Sequence, residues 1–214
     1  MFRCKIPNCR AGLTIMMALF FLAGCALPKV IIPQDPLSGS EHRRLAAIYE
    51  EKGDLDLAER EYKSALEVEP ENMASYFSLG NLYLKMGQHL KAGNIFTKAL
   101  KITPSSGPLH NNLSWAWLGM GDIDRAERYV RKALDLDPSR RHIYLDTLGV
   151  VNTRKGEFDK AEVNLLEALD LLPAGESAGR AEVYTHLIEL FDKRGEPKKA
   201  KAVARELDAL HEKQ

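Results

Sequence analysis

Cysteine is scarce in this chain and absent after residue 25. The three cysteines are Cys4, Cys9 and Cys25, all near the N-terminus. Residues 26–214 therefore contain no thiol. Neither a disulfide framework nor a cysteine-based metal site is then expected in the rest of the chain, although an exported protein could form disulfides.

The chain also lacks an excess of positive charge. Its 30 lysines and arginines are balanced by 30 acidic residues. Residues 1–24 contain three bases and no acid, so the remainder has 27 bases against 30 acids, a formal charge of −3. Nucleic-acid-binding domains usually present a basic stripe. We therefore expect no nucleic-acid partner.

Several motifs of enzyme chemistry are missing as well. The sequence has no HExxH, no phosphate-binding Walker loop and no dinucleotide-binding glycine cluster. No two histidines have the spacing of a helical zinc site. Two of them, His42 and His110, occupy one column of the repeat described below, where a ring that packs between helices is expected. We predict a protein that is not an enzyme, with no catalytic residue, no metal site and no small-molecule substrate.

Only one long apolar run occurs, at residues 11–27, and three bases precede it. It lies at the lower edge of the roughly 17–25 residues that cross a bilayer. Its most apolar part, Leu13 to Leu22, has the length of a signal-peptide h-region, and the small residues Ala23 and Gly24 follow. Two interpretations follow: a cleaved export signal, or an uncleaved anchor helix in which Cys25 is one more small apolar residue.

The stretch Leu22-Ala23-Gly24-Cys25 resembles the lipobox of bacterial lipoproteins. The resemblance implies cleavage before Cys25 and a diacylglycerol in thioether linkage on it, a covalent lipid that is the one attached group we expect. Residue 26 is alanine and not aspartate, which in the well-studied sorting system permits passage to the outer membrane. We expect a lipid-anchored protein of the cell envelope, on the periplasmic face of the outer membrane.

From residue 40 the sequence repeats. The spacing between successive marker glycines is 34, 34, 35 and 39 residues, an alanine follows each glycine by five positions, and a proline follows the first four by seventeen. Columns of leucine, of small residues and of aromatic residues keep the same phase. The marker glycines are Gly53, Gly87, Gly121, Gly156 and Gly195, and the prolines are Pro70, Pro104, Pro138 and Pro173.

Each unit reads as two helices with a glycine turn between them and a proline break after them. Glycine ends a helix because it tolerates left-handed backbone, and proline ends the next one because it lacks an N–H. The small columns let the two helices approach closely. One such hairpin cannot bury its apolar face alone, but a stack of five can. The pattern predicts an all-α solenoid.

These columns resemble those of the tetratricopeptide repeat, whose period is 34 residues. The resemblance implies a right-handed α-solenoid of about five helix-turn-helix units. Residue 141 and residues 176–180 are insertions between units, and we expect the second to lie in a loop that ends at Arg180. The predicted organisation is a signal peptide at 1–24, lipidated Cys25 and a proline-rich tether at 25–38, and a solenoid at 39–214 with units 39–72, 73–106, 107–140, 142–175 and 181–214.

In tetratricopeptide solenoids the first helix of each hairpin lines a groove that holds a peptide or a helix of a partner protein. The asparagines of this groove would bond a peptide backbone and its aromatic residues would form an apolar floor, unless Trp115 instead fills a gap in the stack. Some co-chaperones of this family bind a C-terminal carboxylate with a clamp of basic residues and asparagines. In this chain Phe77, Ile143 and Thr147 stand where bases of the clamp would be, so we predict no such clamp. By resemblance the groove positions are Arg43, Phe77, Asn81, Leu84, Lys85, Asn111, Trp115, Leu118, Asp146, Val150, Arg154, Thr185, Glu189 and Asp192.

The resulting hypothesis is an envelope lipoprotein that acts as a scaffold for protein–protein interaction. The order of lipobox, tether and repeats resembles the pilotin lipoproteins of type IV pilus systems, which have six repeats where this chain has five. Accessory proteins of exopolysaccharide export and of cell-wall enzymes are further alternatives. An inner-membrane protein with an uncleaved anchor, and an accessory subunit of an enzyme, also remain open.

Overall fold

The computed structural model describes residues 37–173 and 175–212. The predicted signal peptide, the lipobox with Cys25 and the proline-rich tether up to residue 36 lie outside the described residues. Within the described ranges the regular structure consists of α-helices and one 3₁₀ turn, Pro138–Arg140. None of the described helices has the length and apolar character needed to cross a bilayer.

The helices form five consecutive pairs. Odd-numbered helices are the first members of the pairs and even-numbered helices the second, as the repeat predicts. The ten are α1 (Gly39–Lys52), α2 (Leu55–Val68), α3 (Met73–Lys85), α4 (His89–Ile102), α5 (Gly107–Gly119), α6 (Ile123–Leu136), α7 (Arg141–Lys155), α8 (Phe158–Leu171), α9 (Ser177–Arg194) and α10 (Pro197–His211).

Local signals fix the helix ends. The marker glycine between the two helices of every pair has a positive φ, from 69° to 83°, the left-handed conformation that glycine adopts at least cost. At the other end, Ser38 caps α1 in a capping box with Glu41. Asn72 and Ser106 cap α3 and α5 by accepting from the third residue along. The turn chemistry inferred from the sequence is confirmed.

Successive helices pack along the chain, and the odd-numbered helices also touch one another in the order α1, α3, α5, α7, α9. The described even-numbered helices make no such contacts among themselves. The first helices therefore form one continuous inner layer, and the second helices are spread outside it. This is the arrangement that a groove lined by first helices requires.

The small-residue columns sit where helices approach most closely. A Cβ added at Gly80 of α3 would overlap the ring of Phe96 in α4, and one at Gly149 of α7 would overlap Leu165 of α8. Phe96 and Leu165 are fully buried, as the bulky column predicts. The close packing predicted from the sequence is therefore present within the hairpins.

The insertions are accommodated in helices. Residue 141 directly follows the 3₁₀ turn as the first residue of α7. The loop predicted to end at Arg180 is corrected: α9 begins at Ser177 and is 18 residues long. The physical reason is that the extra turn is held at both ends, since the Arg180 N–H donates to the Glu176 carbonyl at 3.1 Å and its guanidinium to the Leu169 carbonyl of α8 at 3.4 Å.

The last helix differs from its counterparts. Ala200 is its only buried residue among those described, whereas α2, α4, α6 and α8 each bury at least three. The polar character of the fifth unit thus corresponds to a helix with one face in solvent, as in a terminal repeat.

Candidate functional site

The inner layer of first helices carries the predicted groove residues. At its N-terminal end, Asn81 and Lys85 of α3 are exposed, whereas Phe77 and Leu84 are half-buried against the first part of the core. Phe77 thus packs partly against the core, and its place in the groove floor stays a prediction. Arg43, Thr185 and Asp192 occupy exposed or half-buried positions nearer the two ends.

Polar side-chain contacts join most neighbouring pairs of first helices. Lys85 Nζ lies 3.1 Å from Glu50 of α1. Asn81 accepts a hydrogen bond at 2.9 Å from Asn112 of α5, a residue next to the predicted Asn111. The pair α7 and α9 is joined by Arg154 and Glu189 at 3.4 Å. Within the described ranges no side-chain hydrogen bond or ion pair joins α5 to α7. The centre of the layer is therefore not bridged by polar side chains.

Two cavities occupy this central region. The first encloses about 230 Å³ between α5, α7 and α9, and Asn111, Trp115 and Asp146 are among its lining residues. The second, of about 370 Å³, lies between α4, α5 and α7 and is lined by Trp115, Leu118, Val150 and Arg154, with His89 and Gly119. The structure thus brings together six of the predicted groove residues, with Trp115 shared by both cavities.

Trp115 forms the wall shared by both cavities. Its side chain is half-buried, and its ring centroid lies 5.9 Å from that of His186 with a tilt of 34°. The neighbouring Trp117 faces the opposite side of α5, where it stacks on Tyr129. Trp115 could either line the groove or fill a gap between stacked helices. The geometry favours the first role, because Trp115 borders both cavities.

Asn111, which lines the first cavity, carries an unsatisfied amide oxygen. It is 5% exposed, and its Oδ1 is buried without a hydrogen-bond partner among the described residues. A buried acceptor that lacks a donor costs roughly 1–3 kcal/mol. An incoming N–H or water that reaches this oxygen would recover that free energy, so Asn111 is prepared for a donor from outside the fold.

A compact acidic group adjoins the first cavity. His186 Nδ1 of α9 donates to the Asp146 carboxylate of α7 at 2.8 Å, and Glu182 lies one turn before His186. One ligand-type atom from each of the three lies within 4.8 Å of the other two, a grouping that can hold a divalent cation. Burial lowers the pKa of His186, but the hydrogen bond and charge of Asp146 outweigh it, and the pKa is raised overall. Glu182 is exposed as a residue, but partial desolvation of its carboxyl, together with the Asp146 charge, raises the pKa of that carboxyl.

Sequence reasoning missed Glu182 and His186. Their spacing of four along one helix is visible in the sequence, but a criterion of paired histidines excludes a site with one histidine, and Glu182 lies next to the predicted loop. The histidines His42 and His110 are confirmed as packing residues. The Nδ1 of His42 lies 2.8 Å from Glu61 Oε2, and that of His110 lies 2.8 Å from the Ser106 carbonyl.

Large apolar side chains are also exposed outside the inner layer. Val163 and Leu166 of α8 lie three residues apart and are 63% and 48% exposed, and Leu90 of α4 is 65% exposed. Single exposed apolar residues are common on protein surfaces. These three residues serve as control positions on the outer helices in tests of binding to the inner layer.

The sequence matches two family models. Residues 46–87 match a model described as TPR repeat, and residues 83–149 match one described as tetratricopeptide repeat. No curated protein matches the chain. The matched residues run from α1 to α7 and include the central region of the inner layer.

Several solved structures share the fold. PilW, described as a widely conserved type IV pilus biogenesis factor, is 23% identical over 81% of this chain and 78% of its own, with a TM-score of 0.68. A thermophilic TPR protein from Thermus thermophilus is 23% identical over 79% of this chain and 89% of its own, with a TM-score of 0.67. A tetratricopeptide repeat protein from Parabacteroides merdae is 19% identical over 83% of this chain and 67% of its own, with a TM-score of 0.69. The fold of the described residues is therefore an all-α solenoid of tetratricopeptide repeats.

Proposed function

We propose that this chain is a non-catalytic scaffold that binds an extended peptide or a helix of a partner protein along its inner layer of first helices. The observation that carries the proposal is the open centre of that layer. Two adjoining cavities there share Trp115, and Asn111 supplies a buried acceptor without a partner among the described residues. An aromatic anchor beside an unsatisfied amide suits a peptide, which brings apolar side chains and backbone N–H groups together.

The charged residues around the two cavities indicate which charges a bound segment would meet. Glu182 and Asp146 line or adjoin the first cavity, and Arg154 lines the second. A bound segment would therefore meet acceptors near α9 and a cation nearer α4. The carboxylate clamp is not part of the proposal, since Ile143 and Thr147 replace bases and Thr147 donates to the Ile143 carbonyl at 3.2 Å.

A matched pair of variants tests the groove. Trp115→Ala removes the shared wall, while Trp117→Ala removes the same side chain two residues away on the opposite side of α5. Affinity capture from the native host, followed by binding measurements with each purified partner, should show binding lost in the first variant and kept in the second. Thermal melts of both variants establish that they are folded. Equal binding by Trp115→Ala and the wild type would refute the groove.

We further propose that Cys25 carries the lipid that anchors the scaffold in the cell envelope, at the outer membrane facing the periplasm. The lipobox-like sequence around Cys25 and the residue that follows it support this proposal. Fatty-acid labelling followed by density fractionation tests it. The wild type should be labelled and float with outer membrane, and Cys25→Ser should accumulate as unlabelled precursor. A wild type and a Cys25→Ser variant that are both uncleaved and equally membrane-bound would favour the uncleaved anchor.

One more specific function has support of its own. The similarity of fold to PilW extends over most of both chains, which favours a role in type IV pilus assembly as a pilotin-like factor for the secretin ring. Deletion of the gene should then reduce assembled secretin multimers, and restoring the wild type but not Trp115→Ala should recover them. Intact secretin rings in the deletion strain would exclude this role and leave the general scaffold in place.

A further inference from the structure

Three side chains that could bind a metal meet where α7 and α9 pack together. Asp146 is 7% exposed and belongs to α7, while Glu182 and His186 lie one turn apart on the same face of α9. One nitrogen or oxygen atom from each lies within 4.8 Å of the others. In a tetrahedral zinc site with bonds of about 2.0–2.2 Å, ligand atoms lie about 3.4 Å apart, so the longest separation would have to shorten by up to about 1.4 Å.

The cavity that adjoins the three side chains has no lysine or arginine among its described lining residues. Glu182 makes no hydrogen bond or ion pair with another side chain within the described ranges.

A separate observation also indicates a ligand at this place. Asn111, which is 5% exposed and lines the same cavity as Asp146 and Glu182, has a buried Oδ1 without a partner in the part of the chain that the structure describes. An amide oxygen cannot neutralise the carboxylates, but it accepts a hydrogen bond from water bound to a metal. The cavity of about 230 Å³ has space for such water.

We propose that Asp146, Glu182 and His186 bind one divalent transition metal ion of the zinc class, with water from the adjoining cavity as a further ligand. A set of one imidazole and two carboxylates suits zinc, whereas magnesium and calcium prefer oxygen ligands alone. The metal takes the place of the hydrogen bond between Asp146 and His186 Nδ1, so the neutral ring then carries its proton on Nε2. By joining α7 to α9 beside Trp115, the ion would hold one wall of the inner layer. This site does not depend on the proposed partner.

Zinc binding to the full-length chain tests the proposal. The protein is purified in detergent, its thiols are alkylated so that the N-terminal cysteines do not bind metal, and it is stripped with a chelator. Equilibrium dialysis against zinc should then give one bound equivalent that excess magnesium does not displace. Changes to outer-shell partners of metal sites cost about 10–100-fold in affinity, so removing a direct ligand should weaken binding at least about tenfold.

Two ligand variants and two controls complete the design. Glu182→Gln and His186→Gln should each weaken zinc binding by at least that factor. Glu189→Gln, on the same helix but paired with Arg154 and Lys193, and His211→Gln on the exposed end of α10 should bind zinc as the wild type does. Glu182→Gln removes no hydrogen bond seen among the described residues, so a folding defect does not confuse its result. Failure to bind one equivalent, or wild-type binding in either ligand variant, would overturn the proposal.

Discussion

Replacing Gly80 with alanine should destabilise the solenoid, although alanine is the better helix former. Alanine in a helix interior is favoured over glycine by about 1 kcal/mol. The added Cβ would overlap three atoms of the Phe96 ring, and Phe96 is fully buried and cannot turn into solvent. Because the three ring atoms would lie within 2.9 Å of the added carbon, the upper part of the usual overpacking range applies, roughly 2–3 kcal/mol. The net loss is expected to be about 1–2 kcal/mol.

Gly93 in the adjoining helix α4 provides a matched control. A Cβ at this position meets its nearest neighbours, Ala116 and Met120, at 3.8 Å, which is ordinary van der Waals contact. Gly93→Ala should therefore keep the propensity gain and stabilise the protein by up to about 1 kcal/mol. The two substitutions are chemically identical, lie in the same hairpin and have opposite predicted signs.

Thermal and urea unfolding followed by circular dichroism measure both variants. For a chain of this size, 1 kcal/mol corresponds to about 2–4 °C in melting temperature. Gly80→Ala should melt about 2–8 °C below the wild type, and Gly93→Ala up to about 4 °C above it. A Gly80→Ala protein as stable as the wild type would refute the account of close helix approach at the small columns.

Three further changes test the structure at separate places. Ser38→Ala removes the cap of α1 and should cost about 1 kcal/mol, seen as faster hydrogen exchange in its first turn; unchanged exchange would contradict the capping box. Asn152→Leu replaces a buried amide whose Oδ1 lacks a partner among the described residues and should raise the urea midpoint; a lower midpoint would show that the amide is satisfied. The hydrogen bond from Lys155 lowers the pKa of Glu127 below 4.5, although burial acts in the opposite direction. The ionised carboxylate therefore stabilises the fold above pH 4.5, and this stabilisation is lost as the pH falls through the pKa of the folded state. Glu127→Gln should therefore be less stable than the wild type by up to about 1 kcal/mol near neutral pH and equal to it in acid; a difference that grows in acid would contradict this assignment.

The helices, turns and close contacts could be predicted because each depends on residues near one another in sequence. The positive φ of Gly53 and the overlap at Gly80 follow from columns that recur in every unit. Contacts between units depend on how far each hairpin is turned relative to the next, which the repeat does not encode. The bond from Asn112 to Asn81 and the pairing of His186 with Asp146 are of that kind.

The inserted residues explain the largest difference between expectation and structure. Five extra residues after Pro173 suggested a loop, but Arg180 and its neighbours extend α9 by a turn. That turn is stabilised by the carbonyl of Leu169, a partner on the preceding helix, so no local pattern revealed it. The same extension places Glu182 inside the helix, next to the cavity where the proposed metal site lies.

The central claim, that the inner layer of first helices contacts a partner protein, is most directly tested by photo-crosslinking in the native host. A photoreactive amino acid is placed at Asn81, which is exposed on the inner layer, or at Val163, which is 63% exposed on the outer helix α8. The account predicts a discrete protein adduct from position 81 that is lost when Trp115→Ala is added, and no such adduct from position 163. An adduct from position 163 alone would contradict the account and place the interaction surface on the outer helices.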